Sequence, residues 1–292
     1  MAYVLVLVAA DPQALLTAER RAEKGLEGPT AWTPLGPAAA QTTLDIANAT
    51  LKQALATRLA DLPVDYCLTP DDADRRKRLL VADMDSTIIG CECLDELADY
   101  AGVKAEVSAI TERAMRGEID FEGALRERVA MLANLPASDL QRCFDARVRL
   151  NSGARTLVMT MAGQGARCVL VSGGFDFFTS RVARAAGFHA DRANHLIEAN
   201  GRLTGQVREP ILGREAKLAA LREELASLGL DPSAALAVGD GANDLAMIEA
   251  AGLGVAYRAK PVVAARADAR VDHTDLTTLL YFQGYRADEF RG

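Results

Sequence analysis

Apolar residues recur along this chain in two different rhythms. Over the first seventy residues the apolar stretches are brief and broken by Gly and Pro. "YVLVLVA" predicts a strand near residues 3–9, and Asp11-Pro12 supplies an N-cap and a first-turn proline that open a helix to about residue 24. "GLEGPTAWTPLGPAAAQTTLDI" reads as two short strands joined by a turn. Ala47, Leu51, Leu55 and Leu59 mark one face of a second helix, and "VDYCL" a closing strand. The order strand, helix, strand, strand, helix, strand is that of a ferredoxin-like fold. Residues 1–74 are therefore expected to form a small, self-contained α+β domain, with the charged "TPDDADRRKR" as its linker to residues 75–292.

From residue 78 the rhythm changes. "RLLVAD", "ARCVLVS", "AALAVGD" and "GLGVAY" are continuous apolar runs, the pattern of strands buried on both faces in a parallel α/β sheet covered by helices. Between the first two runs, Leu94, Leu97, Ala98 and Ala101, then Leu125, Val129 and Leu132, follow helical spacing. A helical insertion over about residues 90–153 is expected, placed to cover whatever sits at the end of the first core strand.

Composition narrows the function classes. Half the residues are apolar and a quarter charged, as in ordinary soluble globular domains. The net charge of -7 argues against a nucleic-acid partner or an anionic membrane surface. Residues 1–74 hold 5 Lys/Arg against 10 Asp/Glu, and the remainder 28 against 30, so an anionic substrate must be drawn locally, by a metal ion or a few placed bases. The five cysteines show no CxxC spacing, and Cys91 and Cys93 suit neither a zinc knuckle nor an easy disulfide. They read as reduced apolar side chains. The N-terminal apolar run has no basic flank, and no stretch is long enough for a bilayer span, so a cytoplasmic protein is expected. A homo-oligomer is left open.

Candidate chemistry lies at the strand ends, where open parallel sheets bind ligands. Asp83 and Asp85 end the first core strand on one side of it; two such charges are costly together unless a cation or proton is shared. Ser172 ends the second, followed by Gly173-Gly174, whose backbone can approach an anion. Lys217 opens a later helix. "AVGDGANDLAMIEAAG" adds Asp240, Asn243 and Asp244, a cluster of hard oxygen donors suited to magnesium.

In this order the pieces resemble the haloacid dehalogenase-like phosphatases, over roughly residues 78–260. The resemblance implies a Rossmann-like parallel sheet with a helical cap, Asp83 as nucleophile, and Asp85 as general acid and base. It implies Mg2+ on Asp83, Asp240 and the backbone carbonyl of Asp85. Lys217, Ser172 and the Gly173 N–H would hold the phosphoryl oxygens, with Asn243 and Asp244 positioning the metal's waters and Lys217. "DMDSTIIGCECLDELADYAG" and "AMRGEIDFEGALRERV" narrow the resemblance to the phosphoserine phosphatase family, which closes serine biosynthesis. That match implies Glu92 on the substrate ammonium, Arg128 on its carboxylate, and Met115 and Phe121 lining the pocket. Members of that family often carry a small N-terminal module, sometimes similar to the ACT domain; no residue of it is singled out as a ligand. Other readings are a relative acting on phosphohomoserine or phosphoethanolamine, a phosphotransferase, and a catalytically inactive amino-acid sensor; the intact Asp83, Asp85, Lys217 and Asp240 argue against the last.

Overall fold

The computed structural model describes residues 2–26, 30–115 and 118–292, the side chains of Ala114, Met115 and Arg214 excepted. Its first part runs Tyr3–Ala9 (β1), Pro12–Glu23 (α1), Thr33–Gly36 (β2), Ala39–Leu44 (β3), Ala49–Leu59 (α2) and Val64–Pro70 (β4). Asp11 accepts the Ala14 N–H at 2.8 Å and Asn48 that of Leu51 at 2.8 Å, and each satisfies an orphan donor at a helix start. The sheet is antiparallel in the order β2-β3-β1-β4, the ferredoxin-like arrangement its element order predicts.

β1 is apolar throughout because both of its faces are covered. Leu5 and Leu7 pack with Leu15, Ala18, Leu55 and Leu59 of the two helices. Val4, Val6 and Val8 point the other way, into the large core that also holds Leu279 and Leu280. Asp65 of β4, 3% exposed, reaches across this junction. It accepts the backbone N–H groups of Asp272 (2.8 Å), His273 (3.2 Å) and Thr274 (2.9 Å), and the Thr274 hydroxyl (2.5 Å).

The second part starts with Leu79–Ala82 (β5) and continues with four helices: Cys93–Ala101 (α3), Lys104–Met115 (α4), Phe121–Ala130 (α5) and Ser138–Arg147 (α6). Ala154–Gly163 (α7), Arg167–Phe175 (β6), Asp176–Ala186 (α8), Ala190–Asn194 (β7), Leu196–Ala199 (β8), Arg202–Val207 (β9) and Arg214–Leu228 (α9) follow. The chain then runs through Ala235–Gly239 (β10), Leu245–Ala250 (α10), Leu253–Tyr257 (β11), Pro261–Ala264 (α11), Ala269–Val271 (β12) and Thr278–Phe282 (α12). Six strands pair in parallel in the order β12-β11-β10-β5-β6-β7. The four expected core strands are β5, β6, β10 and β11. The edges β7 and β12 and the β8-β9 hairpin carry no continuous apolar run, because an edge strand is covered on fewer sides.

β5 lies at the centre, with Leu79, Leu80, Val81 and Ala82 fully buried. Each large side chain among them contributes about 1.5–3 kcal/mol by its burial, which anchors the strand from which the acidic loop departs. The insertion is tied at its neck: Ile89 and Leu150 form an antiparallel bridge, and Asn151 donates its side-chain amide to the Thr87 carbonyl at 2.8 Å. Among the described residues no helix is long and apolar enough to cross a membrane.

Candidate active site

The parallel register brings three strand ends together. Ala82 lies between Val238 of β10 and Leu170 of β6, and the Asp83 N–H continues the ladder onto the Val238 carbonyl at 3.0 Å. Asp83, Asp240 and Ser172 therefore converge at the carboxyl edge of the sheet. After Asp83 the chain makes a tight loop over Met84–Ile88 in which Ser86 takes a left-handed conformation, φ 57°. A non-glycine residue there costs of order 1 kcal/mol. The Ser86 hydroxyl donates to Glu92 Oε1 at 2.6 Å, so the loop fixes the carboxylate that begins the insertion.

A cavity of about 730 Å³ opens at this edge, between the sheet and the insertion. Asp83, Asp85, Ser172, Gly173, Asp240 and Asn243 line it from the sheet side, and Glu92, Phe121 and Arg128 from the insertion. Lys217 and Asp244 lie under its floor, 3% and 0% exposed. Met115 ends α4, but its side chain is outside the described residues.

The floor is a buried charge network. Lys217 Nζ donates to Asp83 Oδ1 at 2.5 Å and also to Asp244 Oδ1. Asp244 in turn accepts the N–H groups of Gly241 (2.9 Å) and Asp240 (3.2 Å), which shapes the loop after β10. Burial would lower the Lys217 ammonium, but Asp244 and Asp83 outweigh it and hold the group charged, above its ordinary value. Asp83 is pushed well above the usual carboxylate range, by burial first and by Asp244 next, against the pull of Lys217. Burial and Asp244 also raise Asp240 to about 6.

Asp85 is in a different setting. Its Oδ1 accepts the Cys93 N–H at 3.0 Å, and its Oδ2 the Ser172 hydroxyl at 3.3 Å. Burial and the charge of Glu92 raise it to about 7. A carboxyl group that titrates near neutrality can act as acid and as base. Ser172 is buried and its Oγ also accepts the Gly174 N–H at 2.8 Å. A side chain at position 174 would press within 3.0 Å of both Asp85 Oδ2 and Ser172 Oγ, so glycine keeps this approach open.

Carboxylate oxygens of Asp83, Asp240 and Asp244 lie within 4.8 Å of one another. One buried lysine does not balance these charges, and burial first, then the charge of Asp244, raises the Asp83 and Asp240 carboxyl groups. Hard oxygen donors crowded in this way fit a divalent cation of the magnesium type. Asp83 and Asp240 are the freer donors, because Asp244 already serves Lys217 and two backbone N–H groups.

At the insertion face, Arg128 Nε donates to the Ala124 carbonyl at 3.2 Å in its own helix. Among the described residues no carboxylate lies within ion-pair distance of Arg128, and burial pushes its guanidinium below its ordinary value. A half-buried cation facing the cavity is thus left open to an anionic ligand. Phe121 opens α5 behind the Asp120 N-cap and packs over Gly173, whose added side chain would lie 3.1 Å from the ring.

Several contributors had no signal in the sequence. Asn194 at the end of β7 donates to the Gly173 carbonyl at 2.9 Å and accepts the Leu212 N–H at 2.7 Å, bracing the glycine turn from a strand with no apolar run. Thr111 and Lys260 also line the cavity. Only the position of Lys260 just past a core strand could have pointed to it.

The haloacid dehalogenase-like hydrolase family model matches residues 80–249. A phosphoserine phosphatase of Streptomyces coelicolor is 45% identical over 240 residues, 82% of this chain but 58% of that longer protein. A phosphoserine phosphatase of Polaromonas sp. is 46% identical over 217 residues, 73% of this chain and 92% of its own length. A phosphoserine phosphatase solved with a phospho-aspartyl intermediate analogue superposes with a TM-score of 0.66 at 36% identity, covering 70% of this chain and 98% of the other.

Proposed function

The chain belongs to the haloacid dehalogenase-like hydrolases and, within them, to the phosphoserine phosphatase family; on that premise we propose that it hydrolyses O-phosphoserine to serine and phosphate through an aspartyl phosphate on Asp83. The observation that carries this reading is the cavity itself. It joins an acidic strand end, equipped for phosphoryl transfer, to a separate anion and cation, Glu92 and Arg128, on the facing insertion. A phosphorylated amino acid presents the complementary set: a phosphoryl group at one end, and an ammonium and a carboxylate at the other.

In this reading Arg128 takes the substrate carboxylate in a paired, charge-assisted contact, and Glu92, oriented by Ser86, takes the ammonium. The phosphoryl group then rests between Asp83 and the Ser172-Gly173-Gly174 turn. Asp83 attacks phosphorus, and the serine oxygen leaves with a proton from Asp85. Asp85, now a carboxylate, withdraws a proton from water as it attacks the acyl phosphate, which returns Asp83 and frees phosphate. Lys217 holds Asp83 in line and offsets charge as it develops. Asp83 and Asp240, with the backbone carbonyl of Asp85, would hold Mg2+, which supplies charge neutralisation for the meeting of two anions. Asn243 borders the phosphoryl end of the cavity and Phe121 its apolar wall.

Residues 1–74 are read as a small packed module and residues 75–292 as the catalytic part. The five free thiols suit the reducing cytoplasm. The test is phosphate release from phosphoserine, phosphohomoserine, phosphoethanolamine and sugar phosphates, with magnesium and with a chelator. Preference for phosphoserine that vanishes in the chelator supports the assignment; equal turnover of the whole panel refutes it.

A further inference from the structure

One cation at the cavity has no task in the chemistry above. Lys260 lines the wall beside Asp240 and is exposed. Among the described residues no carboxylate lies within ion-pair distance of it. Its backbone is held firmly all the same. The Lys260 N–H donates to the Asp240 carbonyl at 3.1 Å, and the Lys260 carbonyl accepts the Val263 and Ala264 N–H groups at 2.9 and 3.0 Å. Pro261 then fixes the first turn of α11. The exposed side chain therefore extends from a root anchored next to the acidic cluster.

The charge balance of the cavity gives this position its meaning. Asp83, Asp85, Glu92 and Asp240 line it, against Arg128 and Lys260. Lys217 is committed to Asp83 and Asp244 beneath the floor, and Arg128 faces from the insertion. The whole chain carries -7, so a dianion approaches against the general field. Among the described residues that line the cavity, Lys260 is the remaining cation on the sheet side, where the phosphoryl group must arrive.

We propose that Lys260 is an electrostatic positioning residue that draws the dianionic phosphate monoester to the sheet side of the cavity and retards departure of inorganic phosphate. This deepens the phosphatase reading and rests on it. Placed charges at a cleft raise association rates by about 10- to 1,000-fold, and a single exposed lysine belongs at the low end. A charge of this kind acts on encounter and on salt dependence more than on the chemical step.

The test compares Lys260→Met with Lys260→Arg, and with Lys52→Met, an exposed change on α2 that alters net charge equally. Steady-state kinetics on phosphoserine are followed across ionic strength, together with competitive inhibition by inorganic phosphate. Lys260→Met should lower kcat/KM about tenfold at low salt, leave kcat little changed, flatten the salt dependence and weaken phosphate inhibition. Lys260→Arg should restore these values, and Lys52→Met should match the wild type. A Lys260→Met enzyme that behaves like Lys52→Met overturns the proposal, as does one that loses kcat with KM unchanged. If the wild type proves inactive on phosphoserine, calorimetry of inorganic phosphate with magnesium still decides. Weaker binding by Lys260→Met supports the role of Lys260 although the substrate is wrong, and equal binding removes it.

Discussion

Replacing Arg128 with alanine is expected to damage the use of phosphoserine selectively. The guanidinium faces the cavity from α5, spends Nε on its own helix at 3.2 Å and keeps its remaining donors for a ligand. Burial already pushes it below its ordinary value, so it gains from an anionic partner and a carboxylate loses by its removal. A hydrogen bond to a charged group is worth about 1.5–3 kcal/mol. At 1.4 kcal/mol per decade the loss is about ten- to 150-fold in kcat/KM for phosphoserine. Phosphoethanolamine keeps the phosphate and the amine but has no carboxylate, so its kcat/KM should change little. The assay is phosphate release from both substrates by wild type and Arg128→Ala, with thermal melting to show that the fold is intact. Equal losses on the two substrates, or none on either, would refute the assignment of Arg128 to the carboxylate.

Asp83→Asn should abolish turnover without lowering the melting temperature, because burial and Asp244 already burden that carboxylate; retained activity would remove Asp83 from the chemistry. The pH dependence of stability follows from Asp85 and Asp240, raised from 3.8 to about 7 and about 6. The folded protein keeps protons there that the unfolded chain releases, so without metal these groups destabilise it increasingly as pH rises from about 4 to about 7. Urea midpoints in a chelator should therefore fall between about pH 4 and about pH 7, and magnesium should reduce the fall; parallel curves with and without metal would contradict this. Asp65→Asn weakens a set of bonds that joins β4 to the turn at residues 272–274. It should cost about 1.5–3 kcal/mol of stability, read by urea denaturation, while active-site kinetics stay near wild type.

What could be read from the sequence depended on how local its cause was. Asp83, Ser172 and Asp240 end continuous apolar runs, and in a parallel sheet such ends converge without knowledge of any side-chain contact. Helical spacing of Leu94, Leu97, Leu125 and Val129 likewise marks residues that are buried in the insertion. By contrast, β7 is half-exposed along most of its length, so no periodicity announces it, and with it went the role of Asn194. The apolar run of β1 reads as a strand, but not as one that serves two cores. The bond from Ser86 to Glu92 depends on a left-handed residue, which sequence pattern does not favour for serine. Asp244 was expected to position the metal's waters and Lys217; its hold on the Asp240 loop, through the N–H groups of Asp240 and Gly241, needed the folded chain.

The measurement that bears most directly on the central claim is reductive trapping during turnover. An acyl phosphate is reduced by borohydride to an alcohol, which converts the aspartate carrying it to homoserine. The enzyme should be quenched with borohydride while it hydrolyses phosphoserine in magnesium, then digested and mapped by mass spectrometry. The prediction is homoserine at position 83 alone, dependent on phosphoserine and absent from Asp85 and Asp240. Phosphoserine turnover with no modified residue, or with homoserine at another aspartate, would contradict it.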